Sequence, residues 1–75
     1  MARLPRPSGL ELVRFLEQRG LHVVRIRGSR YFLEGGRWRT CVPVHGSRAL
    51  KIGTLRSILR DIDLSPADFE SVWRR

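Results

Sequence analysis

The chain has one cysteine, one methionine and one lysine, only seven acidic residues, and no apolar stretch of membrane-spanning length. Two of these shortages, in cysteine and in long apolar runs, each remove a class of protein. Cys41 stands alone, so it closes no disulfide within the chain, and its place in an apolar stretch is where a small buried thiol ordinarily sits. The first residues, Met-Ala-Arg-Leu-Pro-Arg-Pro, hold no apolar core of signal-peptide length, so a cytoplasmic protein is expected. A membrane-spanning helix needs roughly 18 apolar residues, and an interfacial anchor needs a long apolar face opposite a Lys/Arg-rich one. Neither is legible, and no membrane partner is expected. His22 and His45 have no Cys, Asp or Glu at metal-ligand spacing, so no metal and no cofactor is expected either. With no repeat, low-complexity run or linker, residues 1–75 read as one domain. A domain of this size buries only about 60% of the surface that its unfolded chain exposes, so the core must be compact.

What the chain has in excess is arginine. Fifteen basic residues against seven acidic ones give a formal charge of +8, and all the basic residues except Lys51 are Arg. Guanidinium forks hold phosphate bidentately and stack on bases; a genome rich in G and C gives the same skew. The charge is unevenly spread. Residues 1–60 carry thirteen basic and three acidic groups (+10), and residues 61–75 carry two and four (−2). Nucleic acid is therefore the expected partner class, with the C-terminal segment away from it.

Pro5 and Pro7 keep the start extended, and Ser8-Gly9-Leu10-Glu11 is a capping box opening a helix over about 9–19. Leu12, Val13, Phe15 and Leu16 form its apolar stripe, and Gly20 is its stop. Residues 21–27 have partial strand alternation, in which Arg25 and Arg27 share a face. Gly28-Ser29 breaks or bulges the ladder. Residues 30–34 resume it, with Tyr31 and Leu33 on one face and Phe32 on the other; Gly35-Gly36 reads as a hairpin turn and residues 38–44 as the third strand. Pro43, lacking an amide hydrogen, belongs at an edge or strand end. Leu55, Ile58, Leu59 and Ile62 fall at core-facing helical spacing, with Arg56 and Arg60 together on another face. Ser65-Pro66-Ala67-Asp68 is a second capping signature, opening a short helix that carries Phe69 and Trp73. The fold class is α+β, with helices on one face of an antiparallel sheet in the order α-β-β-β-α plus a short extra C-terminal helix, as in a double-stranded-RNA-binding domain.

Two segments carry a family resemblance. Val42-Pro43-Val44-His45-Gly46, followed by Gly53-Thr54-Leu55-Arg56-Ser57-Ile58-Leu59-Arg60, is specific in content and spacing, and Val24-Arg25 leading into Gly28-Ser29 adds weaker support. Over roughly residues 9–69 the chain resembles the HicA mRNA-interferase toxins. The resemblance implies a metal-independent endoribonuclease that cuts mRNA, blocks translation and is held inactive by a HicB-like antitoxin. It also implies a departure. The family's Gly-Ser-His tripeptide, which carries the catalytic histidine, is here Gly28-Ser29-Arg30. Ile52 stands in place of a usual proline, and Asp63 where glycine is common. Arginine keeps its proton throughout the physiological range, so Arg30 accepts none from a ribose hydroxyl, and loss of a general base costs on the order of 10²–10⁴ in rate. Either Arg30 is an engineered or selected loss of activity, or it is natural in a protein that binds without cutting or uses another base.

His45, in a loop at a strand end, is the alternative base, and the competing reading has it holding the loop by hydrogen bonds. His22 reads as a half-exposed strand residue. Arg30 is also placed to hold the scissile phosphate. Arg25, Arg27, Ser29, Arg37, Arg39, Lys51, Arg56 and Arg60 are the remaining expected RNA-binding residues. Phe32 and Trp38 are assigned mainly to packing, with base stacking the alternative for both and for Tyr31. A non-catalytic RNA-binding module and a basic domain serving only a protein partner are the rival functions.

Overall fold

The computed structural model describes residues 4–73. Helix α1 (Gly9–Gln18) begins where the sequence places it, because both halves of the capping box form. The Ser8 amide donates to Glu11 Oε1 (2.9 Å) and the Glu11 amide to Ser8 Oγ (3.2 Å), satisfying two amides that the first helical turn leaves without partners. Leu12, Val13 and Leu16 turn inward.

Three strands follow in a meander, β1 (His22–Arg27), β2 (Arg30–Gly35) and β3 (Trp38–Pro43), in spatial order β1-β2-β3 and antiparallel throughout. Two helices close the chain, α2 (Ile52–Asp61) and α3 (Pro66–Trp73), so the α+β order is the expected one. Pro43 ends an edge strand, as its missing donor requires.

One local expectation is narrowed and another corrected. Of the two readings of Gly28-Ser29, the ladder breaks there and does not bulge. Those residues are a two-residue hairpin closed by the Arg27/Arg30 pair, and the irregularity lies at Val24, between Val23 and Arg25. The cause is a conflict of parity. Unbroken alternation puts Val23, Arg25 and Arg27 on one face, which would drive two guanidinium groups into the core or one valine out of it. One extra residue at Val24 lets Val23 pack inward while Arg25 and Arg27 face outward. The second hairpin turn is Gly36-Arg37, one residue later than expected, because Gly35 still pairs with Trp38. Gly36 (φ +55°) supplies the left-handed turn residue, while a Cβ on Gly35 would collide with the backbone of Gly20 and Leu21.

The core lies between one face of the sheet and the helices. Leu33 and Val42 from the sheet meet Leu12, Leu16, Leu55, Ile58, Leu59 and Phe69, all nearly or fully buried. The last helix is capped by Ser65, whose Oγ accepts from the Asp68 amide (3.1 Å). Phe69 makes an edge-to-face contact with Phe15 (centroids 5.2 Å apart), and Trp73 covers both rings. The polar group buried on this face, Thr40, is satisfied by donating from Oγ1 to Asp61 Oδ2 (2.9 Å).

Candidate nucleic-acid interface

Register alone assembles the other face of the sheet. Residues paired across strands share a face. His22, Glu34 and Arg39 form one row, Arg25, Phe32 and Cys41 the next, and Arg27, Arg30 and Pro43 the last. Among the described residues no helix packs on this face: its apolar members Phe32 and Cys41 are absent from the core and from the partly buried hydrophobics packed against it. Four arginines surround one ring and one carboxylate. The Arg25 guanidinium lies 4.5 Å from the Phe32 ring centroid, a cation–π distance. Arg27 and Arg30 stand directly opposite one another, a like-charge pairing that costs folding free energy and that an anion between them relieves.

Beside the last row, the Gly28-Ser29 hairpin is fastened to the end of β3, where the Val44 amide donates to the Ser29 carbonyl (2.7 Å). The chain then turns into a loop ending at α2. Pro43, His45, Arg48, Leu50, Lys51 and Thr54 line a cavity of about 240 Å³ there, so Pro43 is both the neighbour of Arg30 and a wall of that cavity. The loop is held from outside. The Leu50 amide donates to the Pro7 carbonyl (2.8 Å), Arg6 Nε to the Leu50 carbonyl (3.2 Å), and Ser8 and Ala49 form an isolated bridge. Lys51 occupies the N-cap position of α2 without a side-chain cap, leaving the first amides of that helix beside the cavity.

The expected RNA-binding residues therefore divide. Arg25, Arg27, Arg30 and Arg39 share the open sheet face; Ser29 is in the adjoining hairpin, and Lys51 and His45 are at the adjoining cavity. Arg37 sits in the hairpin at the other end of β2, with Nη2 3.5 Å from Asp63 Oδ2. The Trp38 indole also donates to that oxygen (3.2 Å). Asp63 itself has φ +56°, which accounts for glycine being at home there. Arg56 and Arg60 are on α2, which packs on the helix-covered side, and line a separate depression with Leu59, Asp63 and Leu64. His22 is exposed on the outer row beside Glu34.

Sequence reasoning missed one residue, Arg48, and gave another, Phe32, mainly to packing with base stacking as the alternative. Arg48 lines the cavity, and only its place three residues after His45 pointed to it. Phe32 is not packing material for the core: Tyr31 and Trp38 pack against that core and Phe32 lies on the opposite face under Arg25. Among the described residues no group of three or more His, Cys, Asp or Glu is placed to hold a metal ion, and no helix is long and apolar enough to cross a membrane.

Fold and surface together define a small α+β protein whose sheet has one helix-covered face and one arginine-rich face. A family model described as HicA toxin of bacterial toxin-antitoxin matches residues 9–64, more than half of the chain. The chain belongs to that family of toxins, which pair with antitoxins in toxin–antitoxin systems. No curated protein and no solved structure matches it.

Proposed function

We propose that this toxin acts on mRNA in the cytoplasm, that the open sheet face is its RNA interface, and that Arg30 leaves it impaired in cleavage. The observation that carries the reading is the Arg27/Arg30 pair at the Gly28-Ser29 hairpin, two like charges set opposite one another on a face no helix covers. A bridging phosphate converts that repulsion into two charge-assisted contacts. Arg25 and Arg39 extend the positive surface along the sheet, and Lys51 and Arg48 extend it past Pro43.

The reaction is attack of a ribose 2′-oxygen on the adjacent phosphorus, with breakage of the bond to the 5′-oxygen. The 2′-hydroxyl proton must be accepted and the 5′-oxygen must receive one. Arg30 stabilises charge on the phosphoryl oxygens but takes no proton. His45 borders the cavity that Pro43, the register partner of Arg30, also lines, and is the alternative base. A HicB-like antitoxin would cover the same face with acidic groups. The second reading, an RNA-binding module without cleavage, is favoured by arginine at position 30 itself.

Incubating a long unstructured RNA without added metal with this chain and with Arg30→His separates the readings. Cleavage by Arg30→His at a rate on the order of 10²–10⁴ above this chain is expected. Equal cleavage by both places the base elsewhere and makes His45→Ala the next variant; cleavage by neither favours the binding module.

A further inference from the structure

From the position of Phe32 we infer that the open sheet face binds single-stranded RNA, with the Phe32 ring as a stacking platform for an unpaired base. The inference rests on the proposed RNA interface and adds the class of RNA and the residue that selects it. Phe32 is on the middle strand and in the middle row, between Arg25 and Cys41 in register and flanked along β2 by Arg30 and Glu34. Its ring is half-buried without touching the helix-side core. Arg25 lies over it at 4.5 Å.

A large apolar ring set outward in the centre of a charged face contributes to folding through its contact with Arg25 rather than through the core, and its face is suited to a base. Aromatic–base stacking is indifferent to base identity, and a guanidinium stacks on a base as readily as on a ring. Arg25 therefore has two positions open to it, on the ring or over the incoming base. In an A-form duplex the bases already stack on one another and present only their edges, so the ring has nothing to receive. An acidic protein would be held by the same arginines, but it would be indifferent to replacing the ring with an aliphatic group of similar bulk.

The test is binding of a labelled single-stranded oligoribonucleotide, the same oligonucleotide as a duplex, and inorganic polyphosphate. The proteins are the full chain, Phe32→Leu and Phe32→Trp, with thermal melting of each to confirm the fold. Phe32→Leu is expected to weaken single-strand binding by about 5- to 150-fold, with polyphosphate affinity and the salt dependence unchanged, while Phe32→Trp retains binding. Single-strand affinity unchanged in folded Phe32→Leu, or lost equally for polyphosphate, overturns the stacking role while leaving the RNA interface standing. Tighter binding of the duplex overturns the single-strand assignment. No RNA bound by the full chain overturns the interface as well. If Phe32→Leu does not fold, Phe32→Trp decides: fluorescence quenching by single strands beyond that of the parent chain supports stacking, and its absence on binding overturns it.

Discussion

Phe32 and Leu33 are neighbours on the same strand, and they have opposite fates. Leu33 is fully buried between the sheet and the helices, while Phe32 lies on the uncovered face beneath an arginine. The two faces of one three-stranded sheet follow different rules. On the covered face the buried residues are apolar, and the buried polar one, Thr40, has its hydrogen bond made. On the open face Arg27 opposes Arg30 and an aromatic ring lies outside the core, two features that stability alone does not call for. Replacing the neighbours separately tests the division most strongly. Leu33→Ala should cost about 2–5 kcal/mol, lowering the melting midpoint by roughly 10 °C or more and risking the fold of so small a domain. Phe32→Leu should change stability by under about 1.5 kcal/mol, because no cavity opens in the core. A comparable loss from both would erase the distinction between the faces.

The next effect is on the polar seam of the covered face. Asp61→Ala removes the acceptor of the buried Thr40 hydroxyl and should cost about 1–3 kcal/mol by denaturant unfolding, with RNA affinity unchanged. Asp61→Asn, which keeps an acceptor oxygen, should recover most of it. Equal losses from the two substitutions would mean that the carboxylate charge, not the hydrogen bond, matters.

The covered face was legible in the sequence, and the open face only in part. Ser8 and Glu11, Ser65 and Pro66, and the spacing of Leu55, Ile58, Leu59 and Ile62 each name a local structure by local chemistry, and all three helices formed as they indicate. Alternation also separated Phe32 from Tyr31 and Leu33. What it did not decide is which of those faces the helices cover, since a large aromatic ring suits either. The Val23-Val24 doublet was the visible trace of the bulge, but a period of two carries no phase across an inserted residue. The tie between Arg37, Trp38 and Asp63 spans 25 residues and more, so it depends on packing that no local pattern encodes. The arginines were therefore identifiable as a set, while their division between faces and ends of the sheet was not.

That division makes the smallest and most discriminating prediction. Arg39 and Arg37 are two residues apart and both were expected to contact RNA, yet Arg39 lies on the open face opposite Glu34 and Arg37 is in the hairpin turn beside Asp63. Each phosphate neutralised on a single strand contributes about 0.7 to the slope of log affinity against log salt. Arg39→Ala should flatten that slope by about this amount, and Arg37→Ala should leave it where it was, because its guanidinium is held at the far end of β2. The ion pair with Asp63 is exposed on both sides, so its loss should cost no more than about 1 kcal/mol, and Asp63 keeps the Trp38 indole as a partner. Equal flattening by both would show the RNA wrapping the Gly36-Arg37 end of the sheet, and no flattening by Arg39→Ala would confine it to the rows nearest Gly28-Ser29.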